Sequence, residues 1–272
     1  MLFEGEFLRL GHVIARPPAS RGQPLEHQDC DVLVLPLAGL FAKHDGPRRQ
    51  VIGTPSHAVL IQAGKPYRIS YPGSIGDECL TIRFSAAALP AAGATHTLLP
   101  PPVMLARSLL WRRFADGAWD PLEVEELALD VLLAALGAAR TDRGRLARRE
   151  LQAERVKEAI SLHPERKWKL SELARLAGVS HWHLARVFRA QVGESVYRYV
   201  LRARLAKSLD AVLDGADLTA TALESGFSSH SHFTARFRSL FGVTPAQLRQ
   251  AAGSRTLAEL RKIVTAGTFV WH

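Results

Sequence analysis

Trp182 and Arg186 stand four residues apart in the sequence, with Ala185 between them. On a helix that spacing sets both on one face. There a guanidinium can grip O6 and N7 of a guanine, and an indole can cover a sugar or a thymine methyl. Further on, His230, Ser231, Thr234 and Ala235 form a second such face, small and polar, suited to base edges. Around these two faces lie Lys169, Ser171, Ser180, Arg189, Ser229 and Arg238. Hydroxyls and cations at helix starts and flanks hold phosphate without reading sequence. Solvated charge and a half-buried ring are the plain reading of any one of these residues; their recurrence as a set is the argument against it. His181-Trp182-His183 and His230-Ser231-His232 also contain His-x-His. On a helix that spacing splits the two rings by ~200°, so metal binding is not expected there.

The elements that must position these residues are repeated. The first copy runs Leu173 to Ser180, then His181 to Arg189, then Gly193. The second runs Thr221 to Ser228, then Ser229 to Arg238, then Gly242. The offset is 48 residues at Gly178 and Gly226, and 49 at Phe188 and Phe237, so one turn is a residue longer. Each copy reads as a helix closed by a glycine at positive φ, an apolar plug (Val179 or Phe227), a capping serine (Ser180, then Ser228 or Ser229), and a second helix packed through Leu184 and Phe188 or Phe233 and Phe237. The spacing predicts helix-turn-helix units at about 171–191 and 219–241. Between them a helix is expected from about Ser195 to Leu213, with Leu201, Leu205, Leu209 and Leu213 in one stripe and Arg198, Arg202, Arg204 and Lys207 on other faces. At ~1.5 Å per residue such a rod is roughly 28 Å long, against ~34 Å between successive major grooves on one side of DNA.

Charge follows the same division. Residues 1–139 carry a net −2, residues 140–250 a net +9, and the last 22 residues a net +2, for +9 overall. The imbalance points to a polyanion partner for the second part alone. No apolar run is long enough for a membrane span, and the start lacks a signal-peptide pattern. A cytoplasmic chain with Cys30 and Cys79 as free thiols is expected.

The first ~90 residues read as β. Apolar runs at Val32–Leu35, Ala58–Ile61 and Leu80–Phe84 are separated by turn signals at Gly39, Asp45-Gly46-Pro47, Gly53, Gly64-Lys65-Pro66 and Pro72-Gly73. This spacing favours an antiparallel barrel or sandwich. After an Ala-, Pro- and Gly-rich break at 90–102, helices are expected over Val103–Phe114 and from Asp120-Pro121 to about Ala139, the latter apolar along Leu127, Val131, Leu132 and Ala135. The charged stretch Arg140–Glu150 fits either a linker or the start of a further helix. The tail after residue 252 has a short helical pattern and no functional reading. Tyr67, Arg68 and Arg83 are candidate pocket residues for an anionic or polar effector, with His44 and His57 as looser candidates. No metal or other cofactor is expected.

Residues 152–251 resemble the DNA-binding domain of AraC-type (arabinose-regulator-type) transcription regulators. The resemblance rests on Leu170-Ser171-Glu172-Leu173-Ala174, Ser180 to Phe188, Ala203-Arg204-Leu205, Gly226-Phe227-Ser228, His232-Phe233 and Phe241-Gly242-Val243-Thr244-Pro245. It implies seven helices and double-stranded DNA held in two successive major grooves per subunit. One departure stands out: the family often has Arg two residues after the position of Phe233, where this chain has Ala235 and then Arg236. More loosely, Gly53-Thr54-Pro55 and Ala63 to Arg68 resemble a cupin-like effector domain. That resemblance implies an α+β chain: a cupin-like barrel over 1–95, a helical dimerisation segment over 96–140 with the homodimer contact at 103–139, a linker over 141–151, then the DNA-binding domain. The expected function is an effector-gated, sequence-specific transcription regulator and not an enzyme. The alternatives are a cupin-type metalloenzyme fused to a DNA-binding module, or a regulator whose barrel serves dimerisation only.

Overall fold

A computed structural model describes residues 3–5, 8–16, 24–46, 50–85, 96–116, 120–141 and 147–253. The tail beyond 253, including its expected short helix, lies outside these residues. Among the described residues nine strands come first: β1 Phe3–Glu4, β2 Leu8–Ala15, β3 Asp31–Gly39, β4 Phe41–His44, β5 Gln50–Gly53, β6 His57–Ile61, β7 Arg68–Ser70, β8 Asp77–Phe84 and β9 His96–Leu98. They form two antiparallel sheets, a six-stranded one in the order β1-β2-β8-β3-β6-β9 and a three-stranded one in the order β5-β4-β7.

The run Val-Leu-Val-Leu at 32–35 does not alternate with polar residues because both faces of the large sheet are covered. Leu33, Leu35, Leu80 and Ile82 face the helical side, and Val32, Val34, Val59 and Cys79 face the small sheet with Phe41 and Tyr67. At Pro36 the β3–β8 register shifts, as expected where a residue has no N–H to give to the ladder.

Two helices follow, α1 Pro101–Asp116 and α2 Pro121–Thr141. Asp120 starts α2, its Oδ1 accepting the Leu122 N–H at 2.9 Å. The apolar stripe that suggested a dimer contact has a different use. Leu127, Val131, Leu132 and Ala135 are buried in the chain's own core with Leu105 and Leu109. The outward face of α2 instead carries Leu122 and Leu133. Helix resumes at Ala147, within the charged stretch that the sequence left open between a linker and the start of a further helix.

The remaining helices are α3 Ala147–Leu162, α4 Leu170–Ala177, α5 His181–Val192, α6 Val196–Leu213, α7 Leu218–Glu224, α8 His230–Phe241 and α9 Pro245–Gly253. α6 serves two cores. Near its start, Val196, Tyr199 and Val200 join Val156, Leu173, Leu184 and Phe188. Toward its end, Leu205, Leu209, Val212 and Leu213 join Ala222, Phe233, Phe237 and Leu248. The leucine stripe read from the sequence is half of this arrangement; apolar residues occur around the helix because it is covered from opposite sides.

The sheets and the helical part meet over a polar seam. Glu154 on α3 accepts the Ile52 N–H of β5 at 2.8 Å and pairs with the buried Lys157 at 2.8 Å. Arg202 on α6 holds Glu194 through two nitrogens and donates to Leu99 O at 3.0 Å. Arg107, fully buried on α1, donates to the carbonyls of Pro36 and Pro55. His57 faces this seam: its Nδ1 lies 2.8 Å from Thr54 Oγ1, and its ring centroid is 5.9 Å from that of Tyr199.

Two outcomes are expected. Gly178 and Gly226 both have positive φ, 68° and 84°. Gly178 has open space around it, whereas a Cβ at Gly226 would stand 2.5 Å from Glu165 O. Gly178→Ala should cost about 1–2 kcal/mol of left-handed strain and Gly226→Ala clearly more, measured by urea unfolding. The second concerns His57. Burial first, then the nearby Lys157, His96 and Arg202, push its pKa well below the ordinary 6.5. The folded chain keeps it neutral while the unfolded chain takes a proton below ~6.5. Stability should therefore fall as pH drops from there toward the folded pKa, by at most about 1.4 kcal/mol per pH unit. His44 has the same sign, so the readout is the flatter pH dependence of His57→Gln relative to wild type.

Candidate nucleic-acid interface

In the first unit α4 closes at Gly178, and the Val179 N–H reaches back to Ala174 O at 3.0 Å. Ser180 then caps α5, its side chain accepting the His183 N–H at 3.3 Å. Leu184, Val187 and Phe188 turn inward. Trp182, Ala185, Arg186 and Arg189 are left on the outside, with Trp182 78% exposed. The indole makes a tilted ring contact with His181, 5.1 Å between centroids, and is otherwise open to water. Lys169 and Ser171 are exposed at the start of α4, where the Lys169 N–H donates to the Glu172 carboxylate at 3.2 Å.

The second unit repeats the geometry. Phe227 N–H donates to Ala222 O at 2.9 Å, as Val179 does in the first turn. Of the two serines the sequence offered, Ser229 is the cap, accepting the His232 N–H at 3.1 Å. Ser228 instead lies 3.2 Å from His232 Nδ1. Phe227, Phe233, Phe237 and Phe241 pack in series, with successive centroids 5.3, 5.5 and 4.7 Å apart. The opposite face of α8 presents His230, Ser231, Thr234, Ala235 and Arg238. These border one shallow open depression, which Ser239 and Thr244 complete. The last two were not singled out from the sequence. Their signal was the Thr-Pro start of α9, which turns Thr244 toward α8. At the position of the family departure, Arg236 Nε lies 3.4 Å from His232 Nε2, beside the depression and not among its lining.

Sequence reasoning also missed how the units are joined. Arg204 on α6 donates to Pro164 O at 2.8 Å, Gly226 O at 2.7 Å and Arg166 O at 3.0 Å. It links the loop before α4 to the turn of the second unit. Lys207 pairs with Glu165 at 2.9 Å. Arg202, Arg204 and Arg249 thus face inward contacts, and the basic side chains on the two outer faces are Arg186, Arg189 and Arg238.

Among the five effector candidates, the structure brings Tyr67 and Arg83 to one cavity of about 180 Å³ between the two sheets. Arg68 is exposed on β7 opposite His44, which lies 2.7 Å from Ser70 Oγ. Neither of these lines the cavity, nor does His57, which is buried at the seam. Cys30 and Cys79 are unpaired, and the Cys79 thiol donates to Asp77 Oδ2. Among the described residues no helix is long and apolar enough to cross a membrane.

A helix-turn-helix domain family matches residues 173–251. The chain is 38% identical over 89 residues to the probable transcription factor PqrA of Proteus vulgaris, covering 30% of this chain and 68% of that protein. It is 34% identical over 91 residues to the transcriptional regulator Rob of Salmonella typhimurium, covering 33% of this chain and 32% of the relative. The match spans about a third of the length of most of these curated relatives. Among solved structures, a probable AraC family transcriptional regulator from Rhodopseudomonas palustris is 31% identical over 37% of this chain and 96% of that one, with a TM-score of 0.35. With two capped helix-turn-helix units on one shared helix, and a 38% identical relative covered over 68% of its length, the chain belongs to the AraC-type family of DNA-binding transcription regulators.

Proposed function

We propose that this protein is a sequence-specific transcription regulator that sets α5 and α8 into successive major grooves and is gated by a small molecule bound between its sheets. The observation that carries the reading is the pair of outward faces, Trp182, Ala185 and Arg186 on α5 and His230, Ser231, Thr234 and Ala235 on α8, both fixed to α6. Arg186 and Trp182 take base edges in the first groove, and the α8 face does so in the second. Lys169, Ser171, Ser180, Arg189, Ser229 and Arg238 take phosphates. Each capping hydroxyl accepts a helix N–H and still has its own proton to donate to a phosphate oxygen. The N-terminal unit, residues 1–95, is read as a cupin-like barrel. Its support is the cavity between two antiparallel sheets, the usual place for a ligand in such a shape. The DNA-binding domain is read as 152–251, and the protein as a cytoplasmic homodimer through 103–139, within the helical segment 96–140. The outward Leu122 and Leu133 of α2 support that contact; Leu127 and Val131 do not.

Binding is expected to weaken steeply with salt, since phosphate neutralisation releases counterions. Arg186→Ala should weaken the specific site by about 1–3 kcal/mol and relax one base position. Arg189→Ala should weaken all sequences alike. A binding matrix over single-base variants separates the two, and uniform loss for Arg186→Ala would demote that residue to a phosphate contact. For the dimer, Leu133→Asp should shift sedimentation toward monomer while leaving the fold intact. A wild type that sediments as monomer at micromolar concentration removes the interface.

A further inference from the structure

Side chains at every second position of a strand share a face. On β8 the face turned to the inter-sheet cavity reads Asp77, Cys79, Thr81, Arg83, an acid at one end and a base at the other. The two Cα atoms are ~20 Å apart along the strand at ~3.4 Å per residue, and their side chains lean over a cavity of about 180 Å³. That is below the ~300 Å³ at which pockets for drug-sized ligands begin, so the occupant is small.

The acid end has unused capacity. Asp77 Oδ2 takes the Cys79 thiol, but Oδ1 is buried with no hydrogen-bond partner among the described residues. Glu26, which also lines the cavity and bridges to Tyr67, accepts the Tyr67 hydroxyl at 3.0 Å through one oxygen, and a carboxylate has further acceptor sites. Tyr71 borders the cavity beside these carboxylates and offers a ring face that attracts a cation, as the Tyr67 ring does for the chain's own Lys43 Nζ, 6.0 Å from its centroid. Burial holds Asp77 above its ordinary pKa, the direction expected of a carboxylate lacking its counter-charge. At the other end Arg83 is exposed on β8 and has no carboxylate within ion-pair distance among the described residues. Its planar fork suits a carboxylate or phosphate.

We propose that the cavity binds a small amphoteric molecule, with its ammonium group at Asp77 and Glu26 beside Tyr71 and its anionic group at Arg83. This assignment rests on the reading of the N-terminal unit as a ligand-binding domain, and it names that ligand's chemistry. A diamine would bring a second cation against Arg83, and a diacid would bring an anion against Asp77 and Glu26.

The test uses the full-length protein, thermal-shift measurements and calorimetry. The probes are the proteinogenic amino acids and a series of ω-amino acids, each with the diamine and diacid of equal chain length. At least one amphoteric probe should bind, at least tenfold more tightly than its matched diamine and diacid. Arg83→Gln and Asp77→Asn should each weaken it at least tenfold, and Arg68→Gln, outside the cavity, should not. Arg83 is exposed, so its variant tests the site even if Asp77→Asn fails to fold. Binding by diamines alone, by diacids alone or by no amphoteric probe overturns the proposal, as does affinity indifferent to Arg83→Gln. DNA affinity measured with and without the bound probe separates the two readings. A probe that binds through Arg83 without changing DNA affinity supports the cavity assignment and overturns gating alone.

Discussion

Arg204 and the helix that carries it hold the helix-turn-helix half in one shape. A guanidinium has five N–H donors and cannot shed its proton, so withdrawing it from water is costly unless the donors are met. Here backbone carbonyls meet them, from the loop before α4 and from Gly226 in the second turn. Neither set belongs to Arg204's own helix: one lies in the loop that leads into the first helix-turn-helix unit, the other in the turn of the second. The close approach of Gly226 to Glu165 O is the other side of the same contact: a side chain there would push apart the two segments that Arg204 draws together. With α6 buried at its start by one unit and at its end by the other, the outer faces of α5 and α8 are positioned by a common core and not by a tether.

The same inward contacts change how the charge should be understood. The basic half looked from its net charge like a general polyanion surface. In the structure part of that charge is turned inward, Arg202 on Glu194, Arg204 on carbonyls and Lys157 on Glu154, while Lys207 is paired with Glu165 at the surface. What remains outward on the reading faces of α5 and α8 is a short set, Arg186, Arg189 and Arg238, with Arg236 exposed beside them. Specific recognition by a few placed groups fits this distribution better than a broad electrostatic sheath does.

Much of this was legible in the sequence because it is local. Glycine, apolar plug, serine cap and inward phenylalanines each act within a turn or two of helix, and they recur, so both units and the outward placement of Trp182 and Arg186 could be read directly. The strands at 32–35, 58–61 and 80–84 were legible for the same reason. What was not legible depends on partners distant in the chain. The α2 stripe shows that a face is buried but not against what, and Leu127 and Val131 turned out to pack on α1 and the sheet. His57 reads like any pocket histidine until Tyr199 and Lys157, more than 90 residues on, close over it. Arg204 looks like surface charge because its acceptors are main-chain oxygens, which leave no mark in the residue types.

The rigid spine has a consequence for the nucleic acid under the proposed binding mode. Two reading heads packed into cores that share α6 are held at one separation and one angle. Adding one base pair between the two segments they read moves the second by roughly 3.4 Å along the axis and turns it by about 34° around it. A site so altered keeps its letters and loses its phase. The target is then a single phrase of fixed length whose halves cannot be respaced.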